Sequence, residues 1–201
     1  MSFLAIITTF VLIFPIELPD KTFIATLVLA TRFPPKMVWL GVSLAFGVQS
    51  LVAVVAGRLL ILMPEYIVTV ISTVGFLLGG FLLFRGASHE PEKEEREEHE
   101  FEAKIKKSAT GLKAAGISFA IIFAAEWGDL SQLLAVGLVA QGRPPLSVFI
   151  GSWAALIAVA GLGVIVGKRL KHKISVVLLR RIGGTLCFAL ALWEIIHLLS
   201  S

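Results

Sequence analysis

The sequence has little cysteine and little charge, and both shortages narrow the class of protein. The single cysteine among the 201 residues, Cys187, lies in an apolar segment, so no intramolecular disulfide can form. Charged residues make up 16% of the chain and hydrophobic residues 57%, and the mean hydropathy is +0.90. A soluble domain of this length has more charge and shorter apolar runs. The composition therefore predicts a protein whose solvent is lipid.

The charge that is present is concentrated in one block. Of the 32 charged residues, 14 lie between Arg85 and Lys107. The net charge of +4 would suit nucleic acid binding, but the other basic residues stand at the ends of apolar stretches, where they anchor membrane helices. The N-terminus has no basic region, and its apolar run contains Glu17, Asp20 and Lys21, which argues against a cleaved signal peptide. We therefore expect a lipid bilayer as the partner, and no nucleic acid.

Several apolar segments are long enough to cross a membrane, which takes about 20 residues. There are six of them, at 3–31, 37–57, 65–84, 112–140, 145–167 and 175–199. The one long connection, 85–111, is rich in Glu and Lys and is predicted to be a solvated connector. A regulatory metal-binding loop that uses His89 and His99 is the alternative. The predicted fold class is an all-α integral membrane protein with six transmembrane helices.

The basic residues also predict an orientation. If both termini lie outside, the inner loops contain 15 of the 18 Lys and Arg residues. The positive-inside rule then places the charged loop 85–111 in the cytoplasm. The short chain without a targeting segment is typical of a prokaryotic plasma-membrane protein. The sequence does not fix the oligomeric state, and a homo-oligomer is one of the states it allows.

The two halves of the chain repeat each other at an offset of 109–110 residues. The segment F-P-I-E-L-P-D-K-T at 14–22 aligns with F-A-A-E-W-G-D-L-S at 123–131, and W-L-G at 39–41 aligns with F-I-G at 149–151. Each half has three predicted spans, an odd number, so the second half enters the membrane in the opposite direction. We therefore divide the chain into a first three-helix repeat at 1–84, the loop at 85–111 and a second, inverted repeat at 112–201. Many secondary transporters have this plan, with their sites at the repeat interface.

Four carboxylates lie inside the aligned spans, spaced i, i+3 in each half. They are Glu17 and Asp20 in the first half, and Glu126 and Asp129 in the second. On a continuous helix this spacing places both acids of a pair on one face. Acidic groups at membrane depth are costly and normally face a protein interior or an aqueous cavity. We expect the four to converge and to bind a cation.

The kind of ligand bears on the choice of cation. Carboxylate, hydroxyl and carbonyl oxygens suit hard cations such as Ca²⁺, Mn²⁺ or Mg²⁺, and neither motif contains Cys or His. Like charges in a dry site favour protonation, so protons are expected to replace a departing divalent cation. Lys21 is expected to pair with a neighbouring carboxylate, with snorkelling to the interface as the alternative. Neutral oxygens are available from Thr22, Ser131 and Gln132, and less directly from Gln49 and Ser50.

The paired motifs resemble those of the GDT1 family, which includes transmembrane protein 165 and belongs to the cation/Ca²⁺ exchanger 2 group. The resemblance covers essentially the whole chain and implies a secondary transporter that exchanges Mn²⁺ or Ca²⁺ for protons, with no prosthetic group. Two positions depart from the family's E-x-G-D-[KR]-[ST] pattern: Pro19 replaces its glycine, and Leu130 replaces its basic residue. Carried over by position, the implied ligands are Glu17, Asp20, Glu126 and Asp129, with Thr22 and Ser131 as hydroxyl partners.

Three other functions are open to a chain of this kind. A small-molecule exporter of amino-acid-like substrates shares the six-helix plan, although four acids fit a metal better than a zwitterion. An intramembrane aspartyl protease would use Asp20 and Asp129 but leaves Glu17 and Glu126 unexplained. A membrane scaffold would tolerate neutralisation of these glutamates. We expect a transporter and not an enzyme.

Overall fold

A computed structural model describes residues 1–17, 21–62, 65–86 and 109–166, together with isolated positions at 99, 103, 181, 185, 188, 189, 191, 192, 195 and 196. Within these residues the chain is helical and contains no strand. The helices are α1 (Phe3–Glu17), α2 (Lys21–Arg32), α3 (Pro35–Leu60), α4 (Glu65–Gly86), α5 (Gly111–Ala125), α6 (Leu130–Ala140) and α7 (Pro145–Val166).

Two of the predicted spans are broken. Helices α1 and α2 together fill the predicted first span and meet at a bend of 72°, and α5 and α6 fill the fourth and meet at 71°. We call the junction between α1 and α2 the first break and residues 126–129 the second break. Two unbroken stretches, Pro35–Leu60 and Pro145–Ile165, are apolar and long enough to cross a membrane, and each bent pair adds one more if it is a single span.

The remaining predicted spans are only partly covered by the described residues. Helix α4 occupies the predicted third span. The sixth span, 175–199, and the charged loop 85–111, with the metal-loop alternative on His89 and His99, lie almost wholly outside the described residues. The total of six spans therefore stays a prediction.

Double prolines stand at the start of the second predicted span of each half. Proline suits the first position of a helix because its missing N–H would have no partner there. Helix α3 starts at Pro35 and α7 at Pro145, and in both cases the preceding proline carbonyl accepts the first two helical hydrogen bonds. These bonds are 2.9 and 3.1 Å from Pro34 and also 2.9 and 3.1 Å from Pro144. The aligned joints therefore fold alike.

Each half packs its broken span against the other half. Helix α1 packs chiefly on α7, and its counterpart α5 packs chiefly on α3. Helices α3 and α7 also pack on each other in the centre. One hydrophobic cluster joins the two halves, with Ile13 and Phe46 from the first and Ile122 and Leu156 from the second. The breaks are thereby held against a shared core.

Side-chain details recur at the same offset as the sequence alignment. Phe10 stacks on Phe14 with ring centroids 5.4 Å apart, and the aligned Phe119 stacks on Phe123 at the same distance. Close helix contacts recur as well. Gly41 of α3 lies against the carbonyl oxygen of Ala115, and the aligned Gly151 of α7 lies so close to Ile6 that an added Cβ would be 2.6 Å from its carbonyl oxygen. These contacts recur at the offset of the sequence alignment, while the division into two three-helix repeats stays a prediction.

Candidate cation site

The second break places two acidic residues at facing helix ends. Glu126 is the C-cap of α5, is fully buried, and donates its N–H to the Ile122 carbonyl at 2.9 Å. Gly128 then adopts a φ of +76°, which a residue with a Cβ rarely tolerates. Asp129 is the N-cap of α6. The chain turns at Gly128, and both acids lie at helix termini, where backbone polar groups have no partner within the helix.

Asp129 uses both of its carboxylate oxygens locally. Its Oδ1 accepts the backbone N–H of Gln132 at 3.1 Å, the usual N-cap bond. Its Oδ2 accepts the Ser131 hydroxyl at 2.8 Å. The carboxylate is half-buried. Because each oxygen retains a second lone pair, Asp129 can still face a cation while it caps α6.

Two glutamine side chains contact the main chain of the second break. Gln132 Nε2 donates to the Glu126 carbonyl at 2.6 Å, and its Oε1 accepts the Gly128 N–H at 3.2 Å. Gln49 reaches across from α3, and its Nε2 donates to the Phe123 carbonyl at 3.1 Å. Three backbone polar groups that the broken helix would leave without helical partners are thus satisfied by amides.

The first break shows a matching glutamate. Glu17 is the last residue of α1 and is 1% exposed, as Glu126 is at the end of α5. Thr22, in the first turn of α2, is fully buried. Asp20 and the side chain of Lys21 lie outside the described residues, so the four-carboxylate set and the pairing of Lys21 stay predictions.

Three neutral side-chain oxygens lie buried on α2 and α3. Within the described part of the chain, Thr22 Oγ1, Gln49 Oε1 and Ser50 Oγ have no hydrogen-bond partner. A buried polar atom without a partner costs free energy unless something satisfies it. Hydroxyl and amide oxygens of this kind are suitable ligands for hard cations.

One inference from the spacing is wrong for the second half. An i, i+3 pair lies on one face only if the helix continues, but α5 ends before Glu126 and α6 begins after Asp129. The positive φ of Gly128 causes this interruption. Glu126 and Asp129 therefore present their carboxylates from two helix ends, and not from one helical face.

No group of three or more acidic, His or Cys side chains comes close enough for metal binding among the described residues, which exclude Asp20. Sequence reasoning also overlooked two buried hydroxyls, Thr9 and Ser118, which align at the offset of 109. Each lies eight residues before a site glutamate and donates to the carbonyl four residues earlier, at 2.7 Å and 2.9 Å. Their alignment was the signal that could have found them.

Leu130, which stands where the motif has a basic residue, packs on α4. It is half-buried and contacts Gly79, where an added Cβ would overlap its Cδ1. A charged side chain at this position would lose that apolar contact. The departure from the motif is therefore accommodated by close packing between α4 and α6.

Apolar helices that break beside buried carboxylates define an integral membrane protein with an arrangement typical of transporters. A family model described as the divalent cation/proton antiporter GDT1 matches residues 5–91 and 114–201. The chain belongs to the GDT1 family, which confirms the resemblance drawn from the motifs. No solved structure gives a significant match.

Curated relatives are similar over most of the chain. GDT1-like protein 1, chloroplastic, of Oryza sativa subsp. indica is 31% identical over 218 residues, covering 96% of this chain and 62% of the relative. GDT1-like protein sll0615 of Synechocystis sp. is 29% identical over 187 residues, covering 88% of this chain and 90% of the relative. The chain spans 56% and 62% of the length of the two GDT1-like chloroplastic proteins of rice.

Proposed function

We propose that the chain is a secondary active transporter that exchanges Mn²⁺, Ca²⁺ or both for protons. Its family is a divalent cation/proton antiporter family, which favours this function over the exporter, protease and scaffold alternatives. The proposed ligands are the carboxylates of Glu17, Asp20, Glu126 and Asp129. The single observation that carries the proposal is the buried Glu126 at the second break, followed within three residues by the Asp129 cap.

The ligand chemistry supports a hard divalent cation. A buried carboxylate is stable in its charged form only with compensating charge or hydrogen bonds. A divalent cation supplies that charge, and the hydroxyl oxygens of Thr22 and Ser50 would complete its coordination. Ca²⁺ takes six to eight such oxygens, so the count of acids and neutral groups is in the right range.

The same charges provide the coupling to protons. When the cation leaves, adjacent carboxylates repel each other and their charged forms are desolvated, and both effects favour proton uptake. A proton gradient then drives cation movement because the site holds either the cation or protons. No resident cofactor is required for this exchange.

The direction follows from the predicted orientation. With both termini outside and the charged loop 85–111 in the cytoplasm, a proton gradient directed inward would drive cation export from a prokaryotic cell. The inverted repeat would allow the broken spans to face either side of the membrane in turn. Orientation, direction and inversion are all parts of the proposal.

The test is cation flux into proteoliposomes under an imposed pH gradient. We expect uptake of Mn²⁺, Ca²⁺ or both that depends on the gradient and is abolished in Glu126→Gln. This substitution keeps the size of the side chain and removes its charge. The matched control is Glu65→Gln, which makes the same chemical change at the first residue of α4, outside both motifs.

Two results would refute the proposal. The first is a folded, reconstituted wild-type protein that carries neither ion. The second is a Glu126→Gln variant with wild-type flux, which would remove Glu126 from the ligand set. A loss of flux shared equally by Glu126→Gln and Glu65→Gln would indicate a general effect of lost charge and would likewise count against the site.

A further inference from the structure

Two glutamine side chains hold the second break. Gln132 spans it, donating to the carbonyl of Glu126 and accepting the N–H of Gly128. Gln49 contacts it from α3 through the carbonyl of Phe123. Side-chain amides thus donate hydrogen bonds to the carbonyl of Glu126 and to the carbonyl of Phe123, three residues earlier.

The residues that align with these two glutamines carry no amide. Phe23 aligns with Gln132 at the offset of 109, and Val159 aligns with Gln49 at 110. Neither side chain has a hydrogen-bonding group. The two breaks bend by 72° and 71°, so the amides do not set the angle of the bend.

We propose that Gln132 and Gln49 are positioning residues, whose amides hold the main chain of the second break so that the Glu126 carboxylate keeps one place in the cation site. The inference rests on the proposed function, since it concerns the same site. A positioning role differs from that of a cation ligand, because the Nε2 and the Oε1 of Gln132 both already form hydrogen bonds with the backbone. A cation ligand held at a fixed place binds more tightly, because less conformational entropy is lost on binding.

For three reasons, the geometry favours a role of the amides in positioning the backbone over a role in coordinating the cation. The 2.6 Å bond from Gln132 Nε2 is the shortest of the amide contacts, and it is made to the carbonyl of Glu126 itself. The Gly128 N–H precedes Asp129, so its bond fixes the start of α6 as well. Gln49 is 1% exposed and ties this region to α3, the helix on which α5 chiefly packs.

The test combines hydrogen exchange with transport kinetics. The variants are Gln132→Met and Gln49→Met, which keep similar length and helix propensity but remove the amide. The matched control is Gln141→Met, at the other end of α6, where the side-chain Nε2 has no hydrogen-bond partner among the described residues. Exchange is followed by mass spectrometry on peptides covering 123–132 in the detergent-solubilised, full-length protein, and Mn²⁺ and Ca²⁺ flux is measured in proteoliposomes.

We expect Gln132→Met to raise amide exchange at 123–132 by about tenfold or more, because it removes the bond that protects the Gly128 N–H. The KM for the cation should rise about 5- to 30-fold, the effect expected for two lost hydrogen bonds, while the maximum rate stays within about twofold. Gln49→Met removes one bond and should raise KM less. Gln141→Met should leave exchange at 123–132 and KM unchanged.

The inference would be overturned by either of two results in which KM and amide exchange do not change together. If KM rises with no change in exchange, the amides act as cation ligands and not as positioning groups. If exchange rises with no change in KM, the bonds are merely structural. Should Gln132→Met fail to fold, the milder Gln49→Met decides between the same outcomes. Absence of flux in the wild type would instead sink the proposed function, while the exchange comparison would still show whether the amides hold the break.

Discussion

Substitution of Asp129 separates the two roles that this carboxylate has in the structure. As the N-cap of α6 it accepts the Gln132 N–H at 3.1 Å, and as a proposed ligand it contributes negative charge. Asn is as good an N-cap as Asp, so Asp129→Asn keeps the first role and removes the second. Asp129→Ala removes both, and also leaves the Ser131 hydroxyl without the acceptor that it contacts at 2.8 Å.

The expected magnitudes differ between the two variants. Loss of an N-cap costs about 1 kcal/mol. In a chain of this length that lowers the unfolding midpoint by about 2–4 °C. Asp129→Ala should show this decrease, and Asp129→Asn should melt within about 1 °C of the wild type on the same scale. Both variants should lose transport by at least about tenfold, the lower end of the effect seen when even outer partners of metal ligands are changed.

The assay is tryptophan fluorescence on heating in detergent, paired with flux in proteoliposomes. The four tryptophans of the chain provide the signal. If Asp129→Asn melts as low as Asp129→Ala, the loss of stability relative to the wild type does not come from loss of the N-cap. If Asp129→Asn transports like the wild type, the charge of Asp129 is not needed by the cation, and the ligand role is refuted.

Two further predictions concern glycines. Gly41→Ala should lower the free energy of unfolding by about 1–3 kcal/mol, because the added Cβ would overlap the Ala115 carbonyl. The control Gly116→Ala, with open space around the added Cβ, should not lower it. Equal melting temperatures for the two variants would refute the close-packing argument. Gly128→Ala should lower the free energy of unfolding by about 1–2 kcal/mol through the positive φ alone, since nothing lies within 4 Å of the added Cβ. Gly128→Asn should lower it less, because Asn tolerates this conformation. Equal melting temperatures for the Ala and Asn variants would contradict this reasoning.

The sequence alone predicted the helical fold class, the family and the place of the buried glutamates. Those signals are strong because long apolar runs require lipid as their solvent, and because acidic groups inside such runs are too costly to occur there without a function. The spacing of Glu126 and Asp129 did not predict the break between them, because an i, i+3 spacing is equally compatible with a continuous helix and with two helix ends. The φ of Gly128 decides between these arrangements, and backbone dihedrals are not encoded in spacing.

The amide contacts were also beyond sequence reasoning. Gln49 and Gln132 are 83 positions apart in the chain, and only packing of α3 against α5 brings both to the same break. The sequence suggested them as oxygen donors because polar groups inside apolar spans stand out. It could not show that their nitrogens point at backbone carbonyls. That oxygen-donor role stays a prediction.

The positive φ of Gly128 has a consequence for how the two conformations of an alternating-access cycle are related. In many inverted-repeat proteins the outward-facing state can be built by giving each repeat the shape of the other. Here the exchange would require Pro19, which aligns with Gly128, to adopt a φ of +76°, whereas its ring fixes φ near about −65°. Under the proposed alternating access between inverted repeats, the two access states therefore cannot be symmetry-related copies of one another, and the free energy difference between them need not be close to zero at equal ion concentrations.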